Sequence, residues 1–507
     1  MSSVSPVSSV RAAGTRAVLA ELTGTHDVLA LQALLRERPL PGQLDVLAAA
    51  ETVLVTADSP ASARRIAAQL LRLDLAAAAQ PDGGLVVIDT VYDGEDLAEV
   101  GELTGLGTDG VIAAHAGQLW TVAFTGFAPG FGYLIGENDA LTVPRRESPR
   151  TAVPAGSVAL AGKHSAVYPR RSPGGWQLIG HTGARMWDLD REQPALAALG
   201  RRIQFRPVRA TVALAPEQRA PTPAPEVASG LRVVSPGVQS LLQDLGRHGH
   251  FGLGVSVAGA LDRASLRRAN RLVGNAPSAA AIETVAGGLT VQAVGDQILA
   301  VAGAPSELTV SSPPGPKAEP RRRTVAVSAP FALLDGETLG IGAPRSGFRS
   351  YLAVRGGVDA APVLGSRSTD TMSGIGPAPL AAGQLLASGD DAESGVVGSP
   401  ELQPDFPSAG VTVLDVVPGP RADWFDQAAL DSLTAQQWQV KPQSNRVGMR
   451  LDGTPLRRAR QGELPSEGTV AGALQVPPEG LPVLFLADHP ITGGYPVIAV
   501  VVDSQLD

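Results

Sequence analysis

Cysteine is absent from the 507 residues of this chain. Its absence removes disulfides, thiolate nucleophiles and cysteine-ligated zinc from the available chemistry. Lysine is nearly as scarce: of 41 basic residues only Lys163, Lys317 and Lys441 are lysines. A codon bias toward arginine explains the ratio, and it leaves a lysine-dependent step few choices. Lys317 falls in SSPPGPKAEPRRR, which reads as an exposed loop, so Lys163 and Lys441 remain. None of the three lies between methionines, so no covalent biotin site is expected.

Long apolar runs are missing too. LPVLFLADHPITGGYPVIAVVV is broken by Asp488 and His489, and the N-terminus lacks a basic-then-apolar leader pattern. These features predict a cytoplasmic protein without a membrane span. The formal charge is −8 with the acids scattered, so no basic surface is available to neutralise a nucleic-acid backbone. GxSxG, HExxH and EF-hand patterns do not occur, which leaves no standard hydrolase nucleophile or metal motif.

Glycine and proline are abundant, at 58 and 42 residues. In the stretch from Phe124 to Trp187 they fall at nearly every place a strand should turn, cutting it into apolar pieces too short for helices. That pattern predicts a small β-barrel. Between its turns stand Tyr133, Arg145, Arg146, Arg150, Ser157, Lys163, His164, Tyr168, Arg171, Gln177 and His181.

Residues 1–10 read as frayed chain. From Arg11 onward, strand, helix (His26 to Arg38), strand (ETVLVTA) and helix (Ser59 to Leu73) give a small α+β domain over 1–90. A β-barrel unit follows over 91–206. Residues 207–230, with five prolines, predict a semi-rigid linker. The second glycine-rich unit, 231–507, also follows a barrel-like plan, with a helix from Leu261 to Val273.

Two phosphate-loop patterns fail their context. Gly105, Gly107 and Gly110 match GxGxxG but follow a helix, and GSVALAGK before His164 has the wrong spacing and lacks the Ser or Thr after its lysine. Lys163 remains a candidate point charge for an anion. His181, in a Gly180–Gly183 turn, has a better claim to a site than His115 or His489, which read as structural. In the second unit QDLGRH brings Asp244, Arg247 and His248 to one glycine turn, and GSRSTD sets Arg367 beside Ser366, Ser368, Thr369 and Asp370. Guanidinium with adjacent hydroxyls suits a carboxylate or phosphoryl group, while an internal Asp–Arg brace explains either motif alone. Arg446, Glu467, Gln475 and Asp488 extend the inventory, and their number suggests a cleft.

FTGFAPGFGYLIG, VPRRESPRTAVPAGSVALAG and YPRRSPGGWQLIGHT resemble the first of the two allophanate hydrolase subunits, also called the 5-oxoprolinase B subunit or Kip kinase inhibitor. SPGVQSLLQDLGRHG, GALDRASLRRANRLVGN, YLAVRGGV, VLGSRSTDT, NRVGMRLDG and ITGGYP resemble its usual partner, the second of those two or the 5-oxoprolinase C subunit. The chain is thus similar to a B–C fusion. The resemblance implies a mainly β protein with α+β portions, two cyclophilin-like β-barrel units behind the small N-terminal domain. It implies the B–C component of an ATP-dependent 5-oxoprolinase, converting 5-oxo-L-proline to L-glutamate with a separate A-type protein. Biotin-dependent carboxyl transfer, as in urea carboxylase, and regulation of a sensor histidine kinase are the alternatives, and a homodimer stays open. ATP and Mg2+ are the implied cofactors. On this reading Lys163, His181, Asp244, Arg247, Arg367 and Asp370 are catalytic candidates. Tyr133, Arg150, Ser368, Thr369, Arg446, Gln475 and Asp488 are binding candidates. Arg367, Ser368, Arg247 and Lys163 would clamp phosphate or carboxylate, and Asp244, Asp370 or Asp488 could hold magnesium.

Overall fold

The computed structural model describes residues 6–75, 83–210, 229–313, 321–390, 395–407, 410–462 and 464–506. Lys317 and most of the proline-rich linker, residues 211–228, lie outside the described residues, as do residues 1–5.

The chain opens on strand β1 (Val7–Ala12), where the sequence predicts fraying. It pairs antiparallel with β2 (Ala17–Leu22), and Val7 is buried in the core. Helix α1 (Thr25–Glu37), β3 (Gln43–Ala48), β4 (Thr52–Ala57) and α2 (Pro60–Leu70) follow, with sheet order β1-β2-β4-β3. The start of α2 is the expected one: Ser59 Oγ accepts from Ser62 N–H at 3.2 Å, with Pro60 in the first turn. β3 is not expected from the sequence, where only ETVLVTA reads as a strand, because the turn between β3 and β4 carries neither glycine nor proline to mark it.

Both faces of this sheet are covered, following the two-residue period of its strands. Val18, Ala20, Val46, Val53 and Val55 pack with Leu31, Leu35 and Ile66 of the helices. Leu19, Leu47 and Leu54 point the other way, onto Phe251 and Ile491 of the second half. The N-terminal sheet therefore binds the second half as well as its own helices.

Next come β5 (Leu85–Thr90), α3 (Leu97–Thr104), α4 (Gly107–Ala116), β6 (Trp120–Thr125) and β7 (Gly132–Gly136). Gly105, at φ 71°, ends α3 in the left-handed region, and α4 continues through Gly110. The glycine triplet thus separates two helices. A seven-stranded sheet runs in the order Gln177–His181, Ser157–Ala161, His164–Val167, β7, β6, Arg202–Pro207, β5. Its edges meet where Val91 and His181 exchange backbone hydrogen bonds of 2.9 and 2.8 Å. A Cβ on Gly180 would collide with Val91 O, so this closure requires glycine. The sheet is the near-barrel expected here.

The second half, expected as a single unit from 231, carries two sheet systems. Residues 230–388 build a seven-stranded and a five-stranded sheet, with α5 (Arg263–Leu272) against the latter. Asp262 Oδ1 caps α5 by accepting from Ser265 N–H at 2.8 Å. Between Ser388 and Val416 the described residues form no helix or strand. The chain then builds a six-stranded sheet whose order begins Val416–Pro418, Val497–Val501 and Ala473–Gln475. No helix among the described residues is long and apolar enough to cross a membrane.

Candidate functional site

The loop joining β6 to β7, residues 126–131, lies against the second half. Phe127 is held at φ 63°, a left-handed conformation costly for an aromatic residue, and its N–H donates to Thr492 Oγ1 at 3.0 Å. Gly126 has no room for a Cβ, which would overlap the Thr492 hydroxyl. Thr125 Oγ1 donates to Gly252 O at 3.1 Å, and Gly130 N–H reaches Leu253 O at 3.4 Å. Tyr133, on β7, stacks on Phe124 with centroids 4.1 Å apart, and the hydroxyls of Ser466 and Thr492 face its phenol. Burial pushes the Tyr133 phenol pKa up, so it stays protonated and able to donate.

In the second half, the structure brings together six of the sequence candidates: Asp244, Arg247, Arg367, Ser368, Thr369 and Asp370. Asp244 Oδ1 accepts from Ser366 Oγ (2.6 Å), Ser368 Oγ (2.5 Å) and Gly246 N–H (2.8 Å), and its Oδ2 from Arg367 N–H (2.6 Å). The Asp244–Arg367 link thus runs through the backbone, and the Arg367 side chain turns away to donate to Ala360 O at 2.7 Å. Asp370 accepts from Ser256 Oγ and from the N–H groups of Met372 and Ser373, each at 2.9 Å. Arg247 donates through Nη2 to Ser368 O, and its buried Nη1 has no protein acceptor. Burial lowers its pKa, opposed by the charges of Asp370, Asp244 and Asp488. Thr369 Oγ1 donates to Pro377 O at 2.8 Å, which fixes the next turn.

From the first half, Arg170 enters this same neighbourhood. Its Nη1 lies 4.0 Å from the place a Cβ on Gly374 would occupy, and Asp370 is the acid whose charge reaches it. Its buried Nε also lacks an acceptor. Two guanidiniums, one from each half, therefore lie within reach of the Asp370 charge, each with a buried donor left over. An acceptor oxygen brought by a ligand or by water would satisfy them.

A third group anchors the last sheet. Arg446 grips Asp488 and also reaches Glu283 Oε1 at 2.6 Å and Gly259 O at 2.5 Å. Asp488 Oδ2 accepts in turn from Thr371 N–H at 2.9 Å and Thr371 Oγ1 at 2.7 Å, the residue after Asp370. Burial disfavours the Arg446 charge, but Glu283 and Asp488 outweigh it and raise its pKa.

The remaining candidates lie apart from this group. Lys163 is exposed at the turn after Ser157–Ala161. The partly exposed His181 Nδ1 pairs with Asp93 Oδ1 at 2.7 Å, at the closure of the first barrel. Arg150 binds Asp96 (2.8 Å) and Glu95 (3.0 Å), fixing the start of α3. Gln475 Nε2 donates to Tyr495 O at 3.1 Å. Ser256 and Glu283 carry no signal in the sequence; Arg170 and Thr492 fall within YPRRSPGGWQLIGHT and ITGGYP, but nothing local marks which of Arg170 and Arg171 turns inward.

Magnesium is a poor fit for the three acids expected to hold it. Asp244, Asp370 and Asp488 have their oxygens occupied by protein donors, so they act as braces. Among the described residues no group of three or more acidic or histidine side chains is gathered for a metal.

Residues 8–197 match the family described as carboxyltransferase domain, subdomain C and D, and residues 253–507 match carboxyltransferase domain, subdomain A and B. The chain is 37% identical over 282 residues to the 5-oxoprolinase C subunit of Escherichia coli (strain K12), covering 54% of this chain and 86% of that one. It is 42% identical over 133 residues to the 5-oxoprolinase B subunit of Escherichia coli O157:H7, covering 26% and 61%. The crystal structure of TTHA0988 superimposes with a TM-score of 0.82 at 34% identity, over 97% of this chain and 96% of that one.

Proposed function

Both halves of this chain belong to the carboxyltransferase-domain family, and on that footing we propose that it is the fused B–C component of an ATP-dependent 5-oxoprolinase. The observation that carries the reading is the junction between the halves. Relatives of the two halves are named as two subunits of one enzyme. In this chain the halves meet through Phe127–Thr492 and Thr125–Gly252, and Arg170 approaches the turn at Gly374. A contact between separate polypeptides becomes an intramolecular one, with the junction in the linker at 207–230.

A lactam resists hydrolysis because its amide is resonance-stabilised. ATP, as Mg2+·ATP, would supply a phosphoryl group that turns the carbonyl oxygen into a leaving group. The chain's own contribution is to position and stabilise. Arg170 and Arg247 supply donors toward an oxygen-rich ligand, and Tyr133 offers a protonated hydroxyl. Ring opening is completed with an A-type 5-oxoprolinase protein, making the assembly a hydrolase of carbon–nitrogen bonds other than peptide bonds.

The description of both matched families as carboxyltransferase domains favours a second reading, transfer of a carboxyl group from biotin carried on another chain. The test is ADP release with ATP, Mg2+ and 5-oxo-L-proline, with and without the A-type partner, alongside binding of free biotin. Turnover that requires both 5-oxoproline and the partner supports the first reading. Biotin binding without such turnover supports the second.

A further inference from the structure

Next to the junction described above, a cleft of about 540 Å³ opens where three parts of the chain converge. Leu44 comes from the N-terminal sheet, Phe251 and Phe348 from the middle of the chain, and Met449 and Phe485 from the last sheet. Its size falls within the roughly 300–1,000 Å³ of small-molecule sites. The walls are apolar, and the rim carries three large hydrophobic side chains open to solvent: Leu44 at 52%, Phe348 at 56% and Leu414 at 44% exposure. Such a concentration around one concavity is what a soluble chain avoids unless the surface is used.

The polar groups on the cleft wall differ in how far they are satisfied. Asp45 accepts from Phe251 N–H at 3.1 Å and Val46 N–H at 2.8 Å, and Asp262 caps α5. Arg349 is less well matched. Its Nε stands 3.4 Å from Glu283 Oε1 without hydrogen-bond alignment, because Glu283 is already held by Arg446, Tyr351 and Leu261 N–H. The Arg349 guanidinium lies 5.5 Å from the centre of the exposed Phe348 ring, at the cleft rim. Apolar walls, acids already bonded and a guanidinium that shares its one acid, Glu283, with Arg446 complement a molecule with an apolar body and one anionic head.

We propose that this cleft binds a small amphipathic monocarboxylate, its hydrocarbon part against Phe251, Met449 and Phe485 and its carboxylate at Arg349. The cleft shares the turn at 484–489 with Asp488, so an occupant would press on the segment that carries the Arg446 anchor.

Decanoate serves as the probe, titrated calorimetrically into the full chain, with decanol as its uncharged counterpart. One saturable decanoate per chain is expected, with decanol about tenfold weaker, the worth of one charge-assisted hydrogen bond. Leu44→Arg changes only an exposed rim position and should weaken decanoate about tenfold or more by narrowing the mouth. Arg349→Met should remove the preference for decanoate over decanol while leaving decanol binding in place. Absence of saturable binding, equal affinity for decanol in the unaltered chain, or undiminished binding in Leu44→Arg would each overturn the proposal.

Discussion

Arg446 and Asp488 form a two-point pair: Nε to Oδ2 at 3.0 Å and Nη2 to Oδ1 at 2.8 Å, with both side chains buried. The pair ties the last sheet to the middle of the chain, because Arg446 also holds Glu283 and Asp488 also holds Thr371. Removing one partner leaves an uncompensated buried charge. Arg446→Met should therefore cost about 3–5 kcal/mol in urea unfolding. A loss below about 1 kcal/mol would show the pair to be energetically idle.

At Gly126 the two halves approach too closely for any side chain. Gly126→Ala should destabilise the chain by about 1–3 kcal/mol through overpacking. Thr492→Gly in the same chain should recover part of that loss, since it removes the group the new methyl meets. Additive effects in the double variant would contradict the close approach.

Acid sensitivity should begin near neutrality. Burial pushes His115 from 6.5 down to about 3 and, with the charges of Lys163 and Arg145, His164 down to about 4. His489 is also lowered by burial. Each depressed pKa means that the unfolded chain takes up a proton below pH 6.5 while the folded chain does not. Stability is therefore fully present above that pH and falls as the pH drops toward the folded values, by about 1.4 kcal/mol per pH unit for each fully buried histidine. Urea unfolding between about pH 7 and 5 measures the slope, and His115→Gln should flatten it by about one proton. A pH-independent stability over that range would contradict the buried, neutral assignment.

Much of this architecture is legible in the sequence, and the parts that are not have physical reasons. Ser59-Pro60 marks α2, Asp262 marks α5, and the glycines from 126 to 183 mark the first near-barrel because each is a local signal. β1 is missed because its pairing to β2, and not its Ser/Val composition, holds it in the sheet. The site is harder. Asp244 and the 366–370 run are visible as a polar cluster, but a sequence cannot show that Ser366 and Ser368 turn inward to bond Asp244. Arg170 comes close to the Gly374 turn from about 200 positions away along the chain, a separation no local pattern encodes.

Arg170 and Arg247 each keep a buried N–H without a protein acceptor, and the Asp370 charge acts on both. If those donors serve the substrate, Arg170→Met should lower kcat/KM by about tenfold or more, equivalent to ~1.4 kcal/mol, with unchanged far-ultraviolet circular dichroism. Unaltered kinetics in this variant would assign Arg170 to packing alone.

That this chain is the B–C component of a 5-oxoprolinase is tested most directly by ADP release from ATP and Mg2+ in the presence of 5-oxo-L-proline and an A-type partner protein. Turnover, with glutamate formed, is expected only when 5-oxoproline, this chain and the partner are all present. A partner proven active with its own B and C proteins, yet silent with this chain, would contradict it.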